Sequence, residues 1–170
     1  LTGSTNSDTF NFVDGSALGN STINGGVGTA DSIMFAGAVT VTSIANVSNV
    51  ETIYLNGSSS STLTIGNGGL AGTNSLAIYG TAASNTISAA SSNDGAVSLF
   101  GGSSYSDTFT GGSLNDTLQG WNASGSAFRD SITMETTTGL TMNLGAGNDI
   151  VSTTAALLTP TGASTDNTLN

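Results

Sequence analysis

Apolar residues alternate with small polar ones in short bursts along this chain: DTFNFV (8–13), AVTVTSI (38–44), ETIYL (51–55), TLTI (62–65), SLAIY (75–79), AVSLF (96–100), DTFT (107–110), DTL (116–118), DSITM (130–134), GLTMNL (139–144) and DIV (149–151). Each burst has the two-residue period of a strand that turns one face inward. Between the bursts lie clusters of Gly, Asn, Ser and Asp, whose permissive backbones and short polar side chains form tight turns. No stretch carries a helical period. The pattern therefore predicts an all-β fold, as a sandwich, a barrel or a solenoid.

Repetition decides among the three. GGSSYSDTFTGGSLNDTL (101–118) twice places a double glycine ahead of an aspartate, with a large apolar residue two positions after it. GGVGTADSIMF (25–35), LGAGNDIV (144–151), GSTNSDTFNF (3–12) and SGSAFRDSITM (124–134) are variants of the same unit, and GTAASNTIS (80–88) has Asn85 where the others have Asp. Self-similarity of this kind marks a stacked, quasi-one-dimensional architecture. The expected fold is one parallel β-solenoid domain over 1–170, a β-roll or an irregular β-helix, most regular over 101–151. In this reading two units, about eighteen residues, close one coil.

The unit also has a chemical reading. Glycines allow the sharp turn, the aspartate projects from it, and the apolar residue drops back into the interior. Coils stacked about 4.8 Å apart bring aspartates side by side. Like charges that close either raise one another's pKa or share a cation, and oxygen ligands suit Ca2+.

Composition narrows the function. The 170 residues include 24 Gly, one Pro and no Cys, and Gly, Ser, Thr and Asn together exceed half the chain. Eleven acidic residues face a single base, Arg129, and the formal charge is −10. Nucleic-acid binding, which needs clustered Lys and Arg, is excluded, as are disulfides and thiolate metal sites. Without His, Cys or Lys, catalysis is left with a carboxylate pair, so no enzyme is expected. No apolar run approaches the roughly 18 residues of a membrane helix. Because the chain starts at Leu1 with no signal-like segment, it reads as processed or as a segment of something longer.

GGSSYSDTFTGGSLNDTL, GGVGTADSIMF and GAGNDIV resemble the G-G-x-G-x-D-x-U-x nonapeptides of the RTX proteins. That resemblance implies a calcium-bound parallel β-roll. Its ligands would be Asp107 and Asp116, then Asp31, Asp130, Asp149 and Asp8, with turn carbonyls around Gly101, Gly111, Gly25, Gly26, Gly28, Gly145 and Gly147. The order of repeat, strand, NVETI-like strand, small-polar strands and repeat over 21–118 is similar to segments of RTX-type bacterial S-layer proteins and large adhesins. This implies one-step type I secretion, folding on Ca2+ outside the cell, and a structural or adhesive role at the cell surface. Partners would be copies of the chain itself and cell-surface polysaccharide. The alternatives are a head-to-tail extracellular filament with few or no calcium sites and, third, a carbohydrate-binding or polysaccharide-cleaving β-helix.

Other residues have plainer expected roles. Asp14 and Asp94 fit Asx turns, and Glu51 and Glu135 fit solvated strand faces. Phe10, Phe12, Phe35 and Phe109 follow a motif aspartate at inward positions and belong to the core. Asn85 is expected to hold its rung by hydrogen bonds rather than by a metal. Trp121 fits a loop contact or a cap over a solenoid edge.

Overall fold

The computed structural model describes residues 1–16, 18, 21–66, 75–80, 83–89, 96–102, 105–111 and 117–119, and the backbone of strands at 131–134, 141–143, 150–153 and 168–169. The strands in chain order are β1 (Thr9–Phe12), β2 (Ile23–Asn24), β3 (Ser32–Phe35), β4 (Thr40–Val41), β5 (Val47–Ser48), β6 (Thr52–Leu55), β7 (Thr62–Thr64), β8 (Ser75–Gly80), β9 (Thr86–Ser88), β10 (Ala96–Gly101), β11 (Thr108–Thr110), β12 (Thr117–Gln119), β13 (Ser131–Met134), β14 (Thr141–Asn143), β15 (Ile150–Thr153) and β16 (Thr168–Leu169). The described residues contain no α-helix. All pairings are parallel, as expected of a solenoid.

Two seven-stranded sheets run the length of the stack. The first has the order β1-β3-β6-β8-β10-β12-β14 and the second β16-β15-β13-β11-β9-β7-β4. Early coils have a third face, where β2 pairs with β5 and Thr2 bridges to Asn24. Register partners in neighbouring coils lie 20 to 25 residues apart at most pairings, longer than the eighteen residues expected from the nonapeptide pattern, but 18 or 19 apart where β10 meets β12, β13 meets β15 and β15 meets β16. The early coils spend the extra length on the third face.

The strand period sorts side chains as the alternation requires. Ile33, Ile53, Ile78, Leu99 and Leu118 line the inside of the first sheet, and Val41, Leu63, Ile87 and Phe109 the inside of the second. Each is buried, at about 1.5–3 kcal/mol for a fully buried large apolar side chain. Phe35 and Phe109 are fully buried, while Phe10 and Phe12 pack against the core from its edge.

The outer faces differ. On the first sheet Met34, Tyr54, Tyr79 and Phe100 follow one another in register. The rings of Tyr54 and Tyr79 stack at 5.3 Å and those of Tyr79 and Phe100 at 4.6 Å. On the second sheet one outer row is Thr40, Thr62, Thr86 and Thr108, and the next is Thr64, Ser88 and Thr110.

Candidate functional site

The residue just before each strand occupies a corner of the coil, and the motif aspartates stand there. Asp31 and Asp107 do not project outward. They are essentially inaccessible to solvent, at 0% and 1% exposure. The reason is the strand period: Asp107 has the same parity as Phe109, so both point inward.

At the entrance to the first sheet, Asp8, Asp31 and Glu51 superpose in consecutive coils. The Asp8 N–H donates to Asp31 Oδ1 at 2.7 Å, and the Asp31 N–H donates to Glu51 Oε2 at 2.7 Å. Each carboxylate thus accepts the backbone N–H of its counterpart in the preceding coil. Asp8 also closes its own turn, its Oδ2 accepting the Ser4 N–H at 2.6 Å and the Ser4 hydroxyl at 2.9 Å. Thr52 lies opposite Ala77, which places apolar Leu76 next in this column and ends the run of acids.

At the entrance to the second sheet the column is Val39, Ser61, Asn85 and Asp107, with the same polarity. Val39 N–H donates to Ser61 Oγ at 3.1 Å, Ser61 N–H to Asn85 Oδ1 at 3.0 Å, and Asn85 N–H to Asp107 Oδ1 at 2.8 Å. Within their own turns Asn85 Nδ2 donates to the carbonyls of Gly80 (3.0 Å) and Ala83 (2.6 Å), and Asp107 Oδ2 accepts the Gly102 N–H at 3.1 Å. Asn85 therefore holds its rung by hydrogen bonds. Burial pushes the Asp107 carboxyl up to about 6 from its ordinary 3.8, against the pull of the Asn85 and Gly102 N–H groups.

Asp31 breaks the pattern. Its Oδ2 is buried and has no hydrogen-bond partner. The turn that should supply an N–H sends its donors elsewhere: Gly26 N–H to Asn24 Oδ1 at 3.0 Å and Val27 N–H to the Ser4 carbonyl at 3.0 Å. The geometry of that turn depends on Gly26, at φ +106°, and on Asn49 in the neighbouring coil, at φ +50°. A Cβ on Gly25 would lie 2.7 Å from Asp31 Oδ2 and collide with the Asn49 carbonyl oxygen; one on Gly28 would lie 2.9 Å from Oδ2 and collide with the Asn6 carbonyl oxygen. Without side chains at Gly25 and Gly28, the Asn49 and Asn6 carbonyl oxygens lie close to the unsatisfied carboxylate oxygen. These donors are hard oxygens, of the kind Ca2+ takes, and fewer than the six to eight it needs, so water would complete the shell.

Among the described residues no three acidic side chains converge on one point. The strands that follow the two tandem aspartates in sequence, β11 and β12, belong to opposite sheets. Gly101 ends β10 on the first sheet and Gly111 follows β11 on the second; both are buried, and a Cβ on Gly101 would press on Asp107 Oδ2 at 2.5 Å. Asp116, Asp130, Asp149, Gly145 and Gly147 lie outside the described residues, as do Asp94, Trp121, Arg129 and Glu135. Asp14 forms the expected Asx turn, its Oδ1 accepting the Ser16 N–H at 2.9 Å, and the Ser16 bonds hold its carboxyl below the usual range.

Glu51 is the residue that alternation misplaces. It is not a solvated strand residue but the third member of the acidic column. The signal was its place: ETIYL aligns with DTFNF and DSIMF, with Glu standing where Asp stands.

No family model matches the chain, and neither a curated protein nor a solved structure matches it. The likeness to RTX repeats rests on the motifs alone.

Proposed function

We propose that this chain is a structural segment of a bacterial extracellular surface, of the S-layer or adhesin kind, that takes up Ca2+ at the corner where its early coils enter the first sheet. The observation carrying this reading is Asp31 Oδ2: a buried carboxylate oxygen with no donor, stacked between Asp8 and Glu51 and close to the Asn6 and Asn49 carbonyls. A buried, unpaired charge costs several kcal/mol unless something positive or a proton meets it. The chain has one Arg and no Lys or His to do so. Ca2+ would add its charge and bind coils into one unit, consistent with a protein that folds where Ca2+ is plentiful.

Calcium titration of chelated protein, followed by melting temperature, tests this. A hundredfold excess over Kd adds about 2.7 kcal/mol per site, and Asp31→Asn should abolish the shift. It should also raise the melting temperature in chelator, because an amide there can donate to a carbonyl as Asn85 does. An unchanged melting temperature on adding Ca2+, or a full calcium shift in Asp31→Asn, would sink the assignment.

The second column favours a second reading, an extracellular filament subunit with few calcium sites. Ser61, Asn85 and Asp107 each accept a backbone N–H from the neighbouring coil, and Asp107 accepts the Gly102 N–H as well. The same titration separates the two readings.

A further inference from the structure

The outer face of the second sheet is a regular array. Thr40, Thr62, Thr86 and Thr108 form one row and Thr64, Ser88 and Thr110 a second, in register from coil to coil. Successive rungs are about 4.8 Å apart, and alternate residues along a strand about 6.6 Å. Thr40, Thr62 and Thr86 are exposed and the others half-buried. The first sheet differs: one outer row is aromatic, and the other runs Thr9, Ser32, Thr52 and Ala77, with Thr9 Oγ1 lying 3.0 Å from Ser32 Oγ. On the second sheet none of the six threonine side chains makes a hydrogen bond to another described residue.

The occupant follows from what this face lacks. In a molecule of net charge −10, the two rows carry no charge, so ionic and strongly acidic or basic partners have nothing to pair with. Sugar-binding faces use open aromatic rings, but here the aromatics lie on the other sheet with their faces stacked against one another. What remains is a two-dimensional array in which six threonines present methyl groups and hydroxyls that bond to no other described residue. Methyls order the water beside them and hydroxyls anchor it. Faces of hexagonal ice have oxygen repeats close to both spacings. We propose that this threonine face binds ice, holding ordered water in register with its two rows. The inference is independent of the calcium reading.

Nanolitre osmometry of the full chain, in calcium-containing buffer so that the fold is present on either reading, tests it. Thermal hysteresis with faceted crystals is expected. Thr62→Tyr and the double variant Thr62→Tyr/Thr86→Tyr should lose it with circular dichroism and melting temperature unchanged, since Tyr suits an exposed strand. Thr52→Tyr, on the first sheet, should keep it. Absence of hysteresis from the folded wild-type chain would overturn the proposal, as would equal hysteresis in the double variant. So would retention on crystalline chitin or cellulose without ice shaping, which would assign the face to a polysaccharide.

Discussion

The two polar columns stand at the same step of the coil, one residue before a strand, yet they settle their hydrogen bonds differently. In the second-sheet column the side chains change from Ser61 to Asn85 to Asp107, and each finds donors in the neighbouring coil or in its own turn. In the first-sheet column Asp8, Asp31 and Glu51 are all acids, and Asp31 keeps one oxygen without a donor. Position in the coil alone therefore does not decide how a corner carboxylate is satisfied. What matters is whether the local turn can supply an N–H, and the 25–31 turn sends its N–H groups to Asn24 and Ser4 instead.

The strongest way to break this comparison is to remove an aspartate from each column. Asp107→Ala strips the acceptor from two buried N–H groups, those of Asn85 and Gly102, and should cost about 2–6 kcal/mol, equally in Ca2+ and in chelator. Asp31→Ala orphans only the Asp8 N–H and also removes the unsatisfied oxygen, so its cost in chelator should be smaller, about 1–2 kcal/mol, with the calcium response gone. Denaturant melts of both variants with and without chelator check this. A calcium-dependent loss at Asp107 would erase the distinction.

Protonation gives the next effect. The folded state raises the Asp107 pKa to about 6 from 3.8, so the native chain holds a proton that the unfolded chain releases. This contribution is fully present below about pH 4 and is lost as pH rises through 6, on the order of 2 kcal/mol. Asp107→Asn, which copies Asn85 one coil earlier, should flatten that limb. Equal slopes between pH 4 and 6 in the two proteins would count against it. The smallest effect is expected at Glu51→Gln. Its carbonyl oxygen can still accept the Asp31 N–H, so the loss should stay near 1 kcal/mol or less. A larger loss in chelated protein would make the charge of Glu51 part of the column's stability.

The longer strands were legible because four to six alternating residues carry a period. TIYL, SLAIY and AVSLF became β6, β8 and β10 nearly residue for residue. The third face was not legible, since β2 and β5 have two residues each and two residues cannot show a period. The extra length of the early coils was hidden for the same reason. The inward turn of the aspartates was available from parity with the apolar residue two places on, but an Asp among glycines suggests a solvent-facing turn more strongly. What no pattern could reveal was the missing donor at Asp31, because it depends on where Gly26 and Val27 send their N–H groups in three dimensions.

The polarity of the columns also gives the fold a direction in time. Every rung's acceptor belongs to the coil that follows it in sequence, 20 to 24 residues later. A chain released N-terminus first would lay down each corner before the group that completes it exists, with a buried N–H waiting on residues still to come. Released C-terminus first, each arriving coil would dock its donor onto an acceptor already in place. The asymmetry makes this solenoid a vectorial object, easier to assemble from its last coil toward its first.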